Sequence, residues 1–109
     1  MKRYSLGEFE EIVLLTVGVL YNEAYGVAIK DEIENRLERK VSVGALQSAL
    51  RRMEDKGYLS SRHGDKTNAR GGKRKRFFTI TAFGKKALDQ SREARDGLWR
   101  DIPDVAFDF

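Results

Sequence analysis

Between Phe9 and Leu20 nearly every position is apolar, interrupted only by Glu10, Glu11, Thr16 and Gly18. A helix that is hydrophobic all round is a buried one. Ser5-Leu-Gly-Glu8 has the spacing of a capping box, which predicts a helix opening there and running to about Asn22. In a small domain one core cannot cover every face of such a helix, so part of it is expected to meet a second subunit. Tyr25-Gly26 supplies a turn, and a second helix follows to about Arg39, with Val27, Ile29, Ile33 and Leu37 inward and Lys30, Asp31, Glu34 and Glu38 outward. A third helix is predicted from the N-cap Ser42 to the left-handed stop at Gly57. At helical spacing Leu46, Ala49, Leu50 and Met53 fall in one narrow arc. Gly44, Gln47, Ser48, Arg51 and Asp55 lie opposite, with Arg52 at the edge.

After Gly57 the period changes. Tyr58–His63 and Gly72–Thr81 read as two strands joined by Gly64-Asp-Lys-Thr-Asn-Ala-Arg-Gly-Gly72, a turn too polar and glycine-rich to pack a core. Phe78 and Ile80 would share the buried face, with Phe77 beside the outer side. Thr81 can cap a last helix running to about Arg100, beyond which Pro103 forbids much continuation. Its stripe is Phe83, Ala87, Ala94 and Leu98, widened by Leu88, Trp99 and Ile102. The preceding elements already complete a core, so this stripe has no expected cover within the chain, though Val105, Phe107 and Phe109 could tuck against it. The expected fold is mainly α (α+β), a winged helix-turn-helix with a two-stranded hairpin wing and a C-terminal dimerisation helix. Residues 1–81 would form the DNA-binding domain, 82–102 the dimerisation helix and 103–109 a tail.

The length of 109 residues allows one domain, and 40% hydrophobic with 35% charged residues is ordinary for a soluble globular chain. There are no cysteines, so disulfides and thiolate metal sites are excluded. The apolar run Ile12–Leu20 is far short of the roughly 20 residues that cross a bilayer. Glu8, Glu10 and Glu11 separate it from Lys2 and Arg3, and no cleavage site of small residues follows, so a signal peptide is not expected and the cytoplasm is. The overall charge of +4 hides a strong asymmetry. Residues 1–50 carry six basic and eight acidic side chains, residues 51–86 twelve and three, and residues 87–109 three and six. A basic block between two acidic ones is a patch that attracts polyanions.

That block coincides with the third helix and the wing. Gln47, Ser48, Arg51 and Arg52 are placed to meet a major groove, small side chains first and arginines further on. Arg70, Lys73, Arg74 and Lys75, with Lys66 and Arg76 nearby, would meet phosphates or a minor groove. Phe83, Ala87, Leu98 and Trp99 are the expected homodimer interface. Trp99, the only tryptophan, would anchor that seam or, with Phe83 or Leu98, line a pocket for a small planar aromatic effector. No catalysis is expected: His63 is the lone histidine, its only acidic neighbour is Asp65, and no nucleophile elbow, phosphate loop or metal-ligand spacing occurs. No metal or cofactor is implied. The alternative to double-stranded DNA is a winged helix that binds protein, and salt separates the two, because only phosphate binding collapses as salt rises.

The chain resembles the PadR-like family of winged-helix transcriptional regulators from Ser5 to Leu88. The likeness rests on Leu6-Gly7, Tyr25-Gly26, Gly44-Ala-Leu-Gln-Ser-Ala-Leu50, Arg52-Met-Glu-Asp-Lys-Gly-Tyr-Leu59, and Arg74-Lys-Arg-Phe-Phe-Thr-Ile-Thr81 with Gly84. The resemblance implies a homodimeric repressor that binds a palindromic operator through the third helix and wing, dimerises through its C-terminal helix, and in many members answers a small effector. One departure stands out. Ala45, Gln47 and Ser48 replace the threonine, tyrosine and proline usual in the family's third helix, which removes an aromatic contact, although Gln47 keeps the chemistry to read adenine.

Overall fold

The computed structural model describes residues 6–64 and 74–109. Helix α1 spans Glu8–Leu20, and its cap lies two residues later than expected: the Gly7 amide donates to Glu10 Oε1 at 3.1 Å. Ser5 is outside the described residues. Tyr21, at φ 51°, ends α1 at Leu20 and leads into a 3-10 turn over Tyr21–Glu23, so the helix stops short of Asn22. Helix α2 (Gly26–Leu37) ends on Glu38, which takes a left-handed φ of 50° before the expected end at Arg39 is reached. Helix α3 spans Val43–Asp55. Its two expected signals are both present: Ser42 Oγ accepts from the Ala45 amide at 3.0 Å, and Gly57 turns the chain at φ 84°, a conformation open to glycine without strain.

Tyr58 then leads into β1 (Leu59–His63), which pairs antiparallel with β2 (Arg76–Ile80) in the register Leu59↔Ile80 to His63↔Arg76. A bridge between Tyr25 and Phe77, and a 2.8 Å bond from the Phe78 amide to the Ala24 carbonyl, sew the start of α2 onto the wing. Helix α4 (Ala82–Asp101) is capped by Thr81, whose hydroxyl accepts from the Gly84 amide at 3.0 Å. A 3-10 turn over Asp104–Phe107 follows it.

The core lies where α1, α2 and α3 meet the wing. Val13, Leu14, Val17, Ile29, Ile33, Leu46, Ala49, Leu50, Met53, Leu59 and Phe78 are all buried in it. The inward arc expected of α3 is thus fully covered. Two expectations for α2 are corrected: Val27 and Leu37 are exposed. At about 100° per residue Val27 points some 160° away from Ile29, and Leu37 sits on the last turn, past the reach of the core. The stripe of α4 is corrected as well. Ala87 is buried, and Phe83 is half-buried with its ring 5.5 Å from that of Tyr58, so both find cover within the chain. Their cover comes from the close docking of the first turn of α4, where a Cβ on Gly84 would run into the Tyr58 carbonyl. Ala94, Leu98 and Trp99, further along the helix, are exposed.

Candidate nucleic-acid interface

Three side chains on the outer face of α3, Gln47, Ser48 and Arg51, are exposed. The spacing that buries Leu46 and Leu50 turns these outward, so the face follows from the same periodicity as the core. Gln47 Nε2 lies over Gly26, at the entry to α2. Arg74 and Lys75 stand just before β2, at the loop end of the wing, and both are exposed. Among the described residues Arg51 and Arg74 form no ion pair.

The side of the wing that faces α2 is organised by alternating cations and rings. The Lys75 ammonium sits 4.2 Å from the Tyr25 ring centroid, Tyr25 meets Phe77 edge-on at 5.7 Å, and the Arg62 guanidinium covers Phe77 at 4.9 Å. Each contact stabilises modestly at an exposed site, by about 0.5–1 kcal/mol. Together they give Lys75 a fixed seat beside α2 and α3. A groove of about 580 Å³ opens there, lined by Tyr25, Val27, Val43, Gln47, Arg74 and Lys75 among others. A second one, of about 480 Å³, lies on the other side of Gln47 and includes Arg51, Glu54 and Arg76. Gln47 therefore stands between the two depressions that separate α3 from the wing.

A triad the sequence did not suggest fixes that separation. Arg76 donates to Glu54 Oε1 at 3.0 Å and to Ser61 Oγ at 2.9 Å, and Ser61 Oγ donates to Glu54 Oε2 at 2.6 Å. The ring of bonds joins α3 to both strands, so the angle of the wing is set by side chains as well as by backbone. Glu54 is separated from Arg76 by 22 residues, and no local spacing could have shown the pair.

Arg52, at the edge of this face, is engaged by a carboxylate of α1. Its Nε donates to Glu10 Oε2 at 3.0 Å, and Lys56 Nζ lies 3.3 Å from Glu10 Oε1, so both cations of this side of α3 are turned to α1. Burial pushes the Glu10 carboxyl up, but the Gly7 amide, Arg52 and Lys56 together outweigh it and hold the group below the ordinary glutamate value. At about 100° per residue Arg52 lies some 140° round the helix from Gln47 but only 40° from Ser48, so it stands at the edge of that face on the side nearer α1. Arg70 and Lys73 of the expected wing set, and Lys66 beside them, lie outside the described residues.

Trp99 lines a groove of about 480 Å³ between α1 and α4 with Leu15 and Leu88. Phe83 is not part of it. Sixteen residues of helix separate Phe83 from Trp99, roughly 24 Å at 1.5 Å per residue, and Phe83 is spent on Tyr58. The tail does fold towards Trp99, with the Phe107 ring 6.5 Å away and Phe109 6.4 Å beyond that. His63 is exposed at the end of β1. No described helix is long and apolar enough to cross a membrane.

No curated protein matches the chain. Solved structures do. A transcriptional regulator from Clostridium thermocellum is 25% identical, with 84% of this chain and 85% of that one covered and a TM-score of 0.69. A PadR family transcription regulator from hypervirulent Clostridium difficile is also 25% identical, over 82% of this chain and 91% of that one, with a TM-score of 0.63. RosR from H. salinarum reaches a TM-score of 0.72 over 92% of this chain and 83% of its own; at 24% identity that likeness concerns the fold. The family model described as transcriptional regulator PadR-like matches residues 14–90.

Proposed function

This chain belongs to the PadR-like family of transcriptional regulators, and on that premise we propose that it binds double-stranded DNA sequence-specifically through α3 and the wing. The observation that carries this reading is the distribution of unpaired charge. Arg52, Lys56 and Arg76 are engaged by carboxylates, whereas Arg51 and Arg74 form no ion pair among the described residues and Lys75 rests only on a ring. On the surface of α3 and the wing, the cations without a carboxylate partner among the described residues therefore include Arg51, Arg74 and Lys75, which flank Gln47. Arg74 and Lys75 supply backbone or minor-groove contacts, joined by Arg70 and Lys73 of the wing, while Gln47, Ser48 and Arg51 read base edges.

The remaining organisation follows as part of the same proposal. Residues 1–81 form the reading unit, α4 joins two copies into a homodimer, and the pair represses in the cytoplasm from a palindromic operator. Two-fold symmetry would set the two α3 helices about one turn of DNA apart. Trp99 serves first as an anchor of the seam. The groove it forms with Leu15 and Leu88 favours a second role, a seat for a planar aromatic effector, and quenching of tryptophan emission coupled to DNA release would separate that role from simple packing.

The decisive experiment is selection of bound sequences from random duplexes, followed by titration in salt. Replacing Arg74 and Lys75 by alanine should weaken all duplexes alike and reduce the salt slope by about 1 to 2 units. Replacing Gln47 or Arg51 should change sequence preference instead. A wing variant that binds as tightly as the parent at physiological salt would overturn the wing assignment. A parent that binds protein partners with little salt dependence, and no duplex, would point to an interaction module.

A further inference from the structure

Val43 and Val27 are the large apolar side chains exposed in a groove that also carries Gln47, Arg74 and Lys75. Val43 is the first residue of α3 and 61% exposed, and Val27, on the first turn of α2, is 63% exposed. Both line the groove of about 580 Å³ that carries Gln47 on its wall and Arg74 and Lys75 at its rim. Single exposed valines are common and need no account. These two lie on different helices and converge on one groove, and helix formation does not explain Val43, since β-branched residues are poor helix formers.

We propose that Val43 and Gln47 act together as a reader of A·T pairs, with Val43 seated against the methyl group of a thymine in the major groove. The inference rests on the DNA-binding reading above and adds which bases are read. Thymine is the only standard base that presents a methyl group in the major groove, and adenine presents the acceptor and donor pair that a glutamine amide matches. Val43 and Gln47 are four residues apart on α3, so they share a face, one turn above the other. The cations at the rim hold the flanking phosphates and press the apolar floor towards the base edges. Val27 belongs to the helix that, in helix-turn-helix docking, crosses the backbone. It walls the groove on the sugar side and reads no base.

The test uses the full chain and the tightest duplex from the random selection. Each thymine is replaced in turn by 2′-deoxyuridine, which removes the methyl group and leaves pairing intact. One position in each half-site should lose about three- to fivefold in affinity, the effect of one buried methyl. That penalty should vanish in Val43→Ala and persist in Val27→Ala, which should weaken all duplexes evenly. Val43 is solvent-exposed, so its truncation leaves the core intact. A bound duplex that tolerates uracil everywhere, or a penalty undiminished in Val43→Ala, overturns the proposal while leaving DNA binding standing. A parent that binds no duplex overturns both.

Discussion

Glu10 and Glu11 are neighbours on α1, each only 7% exposed, and they hold different helices. Glu10 takes Arg52 of α3 and Lys56 just past its end, whereas Glu11 accepts from Arg95 at 2.6 Å and from the Ser91 hydroxyl at 3.0 Å on α4. A buried carboxylate left without partners is strongly destabilising, and here each is satisfied on more than one side. Because the folded Glu10 carboxyl is held below its ordinary value, it adds stability that is complete above the unfolded pKa and is lost as pH falls through the folded one. Urea unfolding at pH 7 should therefore show Glu10→Gln less stable than the parent by about 1–3 kcal/mol. Below roughly pH 4.5 the difference should shrink, since the parent's carboxylate is being protonated. Parallel pH profiles for the two proteins would remove Glu10 from this role. At this scale the sequence was legible only where partners were local. The inward arc of α3, the Ser42 and Thr81 caps and the Gly57 turn are all set within a few residues. The ion pair of Arg52 was not legible because its carboxylate lies 42 residues away, and Glu11 meets Ser91 across 80.

Among the elements, α4 shows how a correct helix can carry a wrong inference. Its boundaries and apolar stripe follow from capping and periodicity, but periodicity does not tell which part of a stripe the rest of the chain covers. That is decided by the corner between α3 and β1, where the Tyr58 carbonyl approaches the backbone of α4 at Gly84, with Ile80 also close. Gly84→Ala should cost about 3 kcal/mol, since backbone on both sides must shift. Gly97 offers an internal comparison: it lies in the same helix with open space where a Cβ would stand. Gly97→Ala should stabilise by about 0.5–1 kcal/mol through helix propensity alone. Thermal unfolding of the two variants measures both effects, and equal shifts in the same direction would contradict the docking geometry. The wing carries the complementary lesson. Its strands were legible from the change of period, but the Glu54–Ser61–Arg76 brace that sets its angle was not, because it joins three elements through side chains.

For the whole molecule, charge and apolar surface divide the labour. The basic block is partly neutralised at its inner edge by Glu10 and Glu54, while Arg51 on the face of α3 and Arg74 beside β2 form no ion pair among the described residues. Apart from Val27 and Val43 on the proposed DNA face, large apolar residues are exposed on the far side of the chain: Leu98 is 72% and Trp99 69% exposed on the distal half of α4, and Leu15 and Val19 stand out from α1. The chain measures 61 × 35 × 22 Å, an elongated form that leaves this surface uncovered. Clustered large apolar side chains of this kind are the surface a partner would cover, and with Phe83 and Ala87 turned to the chain's own core, the proposed dimer would meet through Leu98 and Trp99. The parent should sediment at micromolar concentration at twice the 12.5 kDa chain mass. Leu98→Glu combined with Trp99→Glu should give a monomer with unchanged helical content, because neither side chain supports the core. Such a monomer should bind a full palindrome more than about tenfold more weakly, since the second half-site no longer benefits from effective concentration, yet bind an isolated half-site as the parent does. Phe83→Ala should lower thermal stability and leave the dimer in place. A double variant that stays dimeric would move the seam to α1, and a parent that sediments as a single chain would dissolve the two-fold reading altogether.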